Sequence, residues 1–87
     1  MTRVQELALY VEAKAVEYLW KLSRKNPDKE VTFRSDGSRP MFHVGDEEFD
    51  IGLLATFDQI RSDFGSEAIP TLRLNIKNGQ FTKEGST

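Results

Sequence analysis

Apolar residues recur with helical spacing over "RVQELALYVEAKAVEYLWKLSRK", residues 3 to 25. Good helix formers dominate this stretch, and Pro27 disfavours helical geometry at Asn26, so the pattern predicts one long helix that stops there. At about 100° per residue the apolar positions fall into two stripes. Val4, Leu7, Ala8, Val11, Ala15, Tyr18, Leu19 and Leu22 make a broad face suited to a core. Leu9, Ala13, Val16 and Trp20 make a second, narrower line. A helix with one partner needs only one stripe. The second is either extra core, a self-association surface or a groove for another protein, with Trp20 as a large aromatic anchor.

The period then changes to two. "EVTFR" alternates Val31 and Phe33 against Thr32 and Arg34, the pattern of a half-buried strand. "SDGS" supplies turn residues, and pairing Val31 with Phe42 and Phe33 with Pro40 makes a hairpin with a loop over 35–38. A turn at Gly45-Asp46 pairs Phe42 with Phe49, His43 with Glu48 and Val44 with Glu47, which predicts a third strand. Residues 51 to 64 carry Leu53, Phe57, Ile60 and Phe64 on one helical line, with Asp50 placed as N-cap and Gly65 as the terminating glycine. "TLRLNIK" alternates again, and Asn78-Gly79 is a strong hairpin signal that pairs Ile76 with Phe81. The order α-β-β-β-α-β-β predicts a single α+β domain over residues 1–83. It has an antiparallel meander sheet, both helices on one face, and a loose tail over 84–87.

That order resembles the secretion-chaperone-like arrangement of small acidic type III secretion chaperones and of YezG-type immunity proteins. The likeness is greatest over residues 57–81. "FDQIRSDF", a short loop and "TLRLNIKNGQF" are similar to the YezG pattern through Ile60, Arg61, Phe64, Leu72, Leu74, Gly79 and Phe81. The resemblance implies a non-enzymatic protein that binds another protein, as an immunity factor, secretion chaperone or inhibitor.

Charge sharpens this picture. The 87 residues carry a net charge of −2, which disfavours a general nucleic-acid binder. Six of the nine charged side chains between Lys21 and Arg39 are basic, whereas seven of the eight between Asp46 and Glu67 are acidic. Such a dipole suits the steering of protein partners. There is no cysteine, hence no disulfide framework, and the charge-broken N-terminus is neither a signal peptide nor a membrane span. These features suit the cytoplasm.

Candidate chemistry is sparse. Arg34 and Arg39 flank the first hairpin tip, where two guanidiniums could clamp a phosphate or carboxylate, or could simply be solvated. That tip supports the alternative reading, an anion- or nucleic-acid-binding accessory protein. The inferred registers also place Glu30, His43 and Glu48 side by side on the polar face. They are a weak candidate for a divalent metal or for a histidine general base, against the simpler reading of a surface charge cluster. No glycine-rich phosphate loop, zinc spacing or nucleophile–histidine pairing is present, and no cofactor is expected. The expected partner is another protein or a second copy of the chain.

Overall fold

The computed structural model describes residues 2–35, 40–49 and 52–85. Helix α1 spans Arg3–Lys25, as the periodicity predicts. It opens on a capping box. The Thr2 hydroxyl accepts from the Gln5 amide, and the Gln5 side chain accepts from the Thr2 amide at 2.9 Å. At the other end the Asn26 side chain donates to the Leu22 carbonyl at 3.0 Å, so the last turn is closed before Pro27.

Five strands follow: β1 (Val31–Arg34), β2 (Met41–Val44), β3 (Glu47–Phe49), β4 (Leu72–Lys77) and β5 (Gln80–Gly85). They form one antiparallel sheet in the order β3-β2-β1-β4-β5. Helix α2 (Gly52–Phe64) and a short 3-10 turn, η1 (Ser66–Ala68), carry the chain from the β3 edge back to the middle of the sheet. The element order is the one predicted, and the fold is α+β.

The β1–β2 register differs from the sequence expectation by two residues. Val31 lies opposite Val44 and Phe33 opposite Phe42, with Arg34–Met41 the last pair. A slip of two leaves every side chain on its own face, so alternation alone cannot detect it. The physical choice is made by Val44. The expected register would set it beyond the start of β1, opposite Lys29, whereas here it is buried against Val31. Pro40, which has no N–H to give a ladder, drops out of the strand and is buried instead. The β2–β3 pairs and the β4–β5 hairpin match prediction, and Asn78 and Gly79 both adopt positive φ, 53° and 76°. These are the signs of a type I′ turn. The β5 ladder continues through Glu84–Arg73 and Gly85–Leu72, so those two residues of the expected 84–87 tail belong to the sheet.

One face of the sheet is covered. Val31, Phe33, Phe42, Val44, Leu72, Leu74 and Ile76 meet Val11, Ala15, Leu19 and Leu22 of α1 and Leu54 and Phe57 of α2. Phe33 stands at the centre, its ring centroid 4.8 Å from that of Phe42 and 6.0 Å from that of Phe57, which it meets edge to face. In α2 the inward residues are Leu54 and Phe57, with Leu53 and Ile60 half-buried. Phe64, placed in the core stripe by its spacing, is instead 42% exposed. The helix ends there: Gly65 turns at φ 90° and returns its amide to the Arg61 carbonyl, and Ala68 of η1 takes the inner place. Phe64 is left at the rim, under the Arg3 guanidinium at 5.9 Å. Asp50, the expected N-cap of α2, and Ile51, its expected first residue, lie outside the described residues.

A buried serine joins the two halves of the sheet. The Ser35 hydroxyl donates to the Pro70 carbonyl at 2.6 Å and accepts from the Leu72 amide at 3.1 Å. The Ser35 amide also donates to the Leu72 carbonyl at 2.9 Å. Ser35→Ala leaves a buried amide and a carbonyl without this partner. The expected loss is about 1–3 kcal/mol of unfolding free energy, measured by urea titration, and a loss within error would show that the hydroxyl does not hold the sheet together.

Candidate functional site

Two surfaces of this scaffold bear side chains that packing does not require. The first is the uncovered face of the sheet. Strand alternation sends Thr32 and Arg34, His43, Arg73 and Asn75, and Thr82 and Glu84 away from the helices. With Glu30, Gly45 and Asp46 they line an open concavity of about 490 Å³. The pairing makes ordered rows. Glu48, His43, Thr32, Asn75 and Thr82 stand opposite one another from β3 to β5, and Met41, Arg34, Arg73 and Glu84 form the next row. Within the first row the Thr32 hydroxyl donates to the Asn75 amide oxygen at 3.1 Å. Glu30 and Asp46 make the opposite end acidic.

This arrangement changes the assignments made from spacing. Arg34 stands directly across from Arg73 of β4. Arg39 lies outside the described residues, so the Arg34–Arg39 tip is not a described feature. The alternation of "TLRLNIK" already put Arg73 and Asn75 on the polar face. Only the β1–β4 pairing, which joins segments some forty residues apart in the chain, brings them beside Arg34 and Thr32. The Glu30–His43–Glu48 cluster does not form as expected. Glu48 does face His43, but the two-residue slip puts Thr32 where Glu30 was placed. Among the described residues no group of three or more His, Asp or Glu side chains could hold a metal ion. The His43 Nδ1 is nonetheless buried without a hydrogen-bond partner, and a buried polar atom of this kind calls for one.

The second surface is the β5 edge with the flank of α1 beside it. The narrow stripe of α1 divides in two. Val16 and Trp20 are half-buried against the core, and the Trp20 ring stacks on Phe81 of β5 with centroids 6.3 Å apart and planes inclined by 26°. Leu9, at 52%, and Ala13 stay exposed. Glu12, on the same flank, holds the Lys83 ammonium at 2.7 Å. Phe81 and Lys83 therefore both turn towards α1, and Phe81 keeps 36% exposure.

The two edges of the sheet differ in kind. β3 is three residues long and follows an acidic turn, with Asp46, Glu47 and Glu48 in a row. Short charged edges resist further pairing. β5 is six residues long and, among the described residues, pairs on one side only. No helix among the described residues is long and apolar enough to cross a membrane. No protein-family model, curated protein or solved structure matches this chain.

The split of the α1 stripe has a measurable consequence. Trp20→Ala removes a half-buried ring and its stacking on Phe81, and should cost about 1–2 kcal/mol in urea unfolding. Leu9→Ala, on the open half, should change stability by less than about 0.5 kcal/mol. Equal losses at the two positions would mean that the stripe is a single continuous piece of core.

Proposed function

We propose that this chain is a small non-enzymatic protein-binding domain that takes its partner by strand addition along β5. The observation that carries this reading is the contrast between the sheet's two edges. β5 offers a row of backbone donors and acceptors beside apolar side chains, whereas β3 is short and acidic. Strand addition uses main-chain hydrogen bonds for affinity and neighbouring side chains for specificity. Leu9, Ala13, Trp20 and Phe81 supply those side chains. The resemblance to YezG-type immunity proteins and secretion chaperones points the same way, and a chain without cysteine suits a reducing compartment such as the cytoplasm. With one histidine and no cysteine the chain offers no histidine pair and no thiolate.

Proline tests the proposal at one atom. In a two-residue hairpin the pair next to the turn, here Lys77–Gln80, exchanges hydrogen bonds, and bonded pairs then alternate along the ladder. The amides of Phe81 and Lys83 accordingly point outward. Lys83→Pro removes an outward N–H and leaves the β4–β5 ladder intact. Lys83→Ala removes the bridge to Glu12 and keeps the N–H. Proteins retained from lysate by immobilised wild type and Lys83→Ala, but lost by a folded Lys83→Pro, are the expected result. Equal retention by all three overturns strand addition at β5.

A second reading rests on the uncovered face. Arg34 and Arg73, opposed on neighbouring strands near the orphaned His43 Nδ1, form a place for a compact anion. Glu30, Asp46 and Glu84 share the concavity and work against a polyanion such as nucleic acid. Inorganic phosphate should shift the His43 ring signals in NMR titrations, and Arg73→Ser should weaken that response several-fold. Unmoved His43 signals at saturating phosphate would eliminate this reading.

A further inference from the structure

We infer that the strand added to β5 is β5 of a second copy of this chain, giving a two-fold dimer with a continuous ten-stranded sheet. This inference rests on the strand-addition reading and names its occupant. The argument is self-complementarity. Phe81 and Lys83 present their backbone groups outward, so an antiparallel partner must set these residues in the hydrogen-bonded positions. A two-fold axis through Thr82 does so. Phe81 then faces Lys83 of the second copy, Lys83 faces its Phe81, Thr82 faces Thr82, and Gln80 faces Glu84.

Each of those pairs is favourable. Threonine pairs suit opposed positions on a sheet, and the Gln80 amide N–H can donate to the Glu84 carboxylate. The Lys83 stem can cover the exposed Phe81 ring of the second copy while its ammonium stays with Glu12. A lysine on an edge strand ordinarily discourages pairing, but here Glu12 already neutralises it at 2.7 Å. The neighbouring registers are poorer. Moving the axis to Lys83 sets two ammoniums opposite each other, and moving it to Phe81 sets Lys83 against the Gly79 turn. A shift by one residue puts the outward groups out of phase.

The rest of the molecule fits the same axis. The flank of α1 that bears Glu12 and Trp20 reaches β5 through Lys83 and Phe81, so both copies bring this flank, with the open Leu9 and Ala13, to the same side of the seam. The outer edges of the ten-stranded sheet are then two β3 strands, three residues long and bordered by acidic side chains. Assembly therefore closes at two and does not propagate.

The register can be read directly because the natural chain has no cysteine. Opposed residues at a non-hydrogen-bonded position have Cα atoms about 4.5 Å apart, within disulfide range. Thr82→Cys should cross-link to itself on mild oxidation. Gln80→Cys and Glu84→Cys should each remain uncross-linked alone and should cross-link when mixed. Wild type should sediment at twice the monomer mass, and Lys83→Pro should shift it to the monomer. Wild type sedimenting as a monomer, or a dimer whose cross-links break this pattern, overturns the inference. If the monomer still retains a protein that Lys83→Pro loses, strand addition stands with a different occupant. If that difference is also absent, both proposals fall together.

Discussion

The structure depends above all on the pairing of β1 with β4. Without that pairing the sheet is two local pieces, a three-stranded unit over β1–β3 and the β4–β5 hairpin, and an isolated two-stranded hairpin is marginally stable at best in water. Joining Val31 to Ile76 and Arg34 to Arg73 makes β1 a central strand bonded on both sides. The cost is the closure of a long loop, which includes α2 and η1. It is offset by burial of Phe33, Leu72, Leu74 and Ile76 and by the three hydrogen bonds of Ser35, which fasten the end of β1 to the start of β4.

That junction sets the chemistry of both faces. On the covered side it puts Phe33 between Phe42 and Phe57, so β2 and α2 meet on one ring. On the open side it opposes two arginines and joins Thr32 to Asn75 by a hydrogen bond. It also decides the edges. Once β1 is central, β3 and β5 are the outer strands, and their unequal length and charge are what the proposal of strand addition at β5 rests on.

The α1 stripe shows how one helix can serve both the core and a surface. Trp20 and Val16 pack against the core, and Phe81 of the β4–β5 hairpin covers the Trp20 ring. The hairpin does not cover Leu9 and Ala13, so the same line of apolar residues emerges as exposed surface beside the β5 edge. The proposed interface therefore lies along the margin of the core. Apolar contact and unpaired backbone groups are adjacent there.

Local physics made much of this protein legible from its sequence. Helical periodicity and Pro27 bounded α1, Gly65 marked the end of α2, and strict alternation put Leu72, Leu74 and Ile76 inside. Asn78-Gly79 and Gly45-Asp46 set the registers of their hairpins, because a two-residue turn allows only one pairing. The β1–β2 register was not legible, since a slip of two residues preserves every face and the longer loop imposes no unique pairing. Nor was the exposure of Phe64, which depends on where the core ends and not on helical phase. The meeting of Arg34 with Arg73, the loss of Glu30 from the His43 cluster and the covering of Trp20 by Phe81 were decided by tertiary structure alone. Each depends on which distant segments pair, and that choice is made by the total burial of the assembled sheet, a quantity no short window of sequence contains.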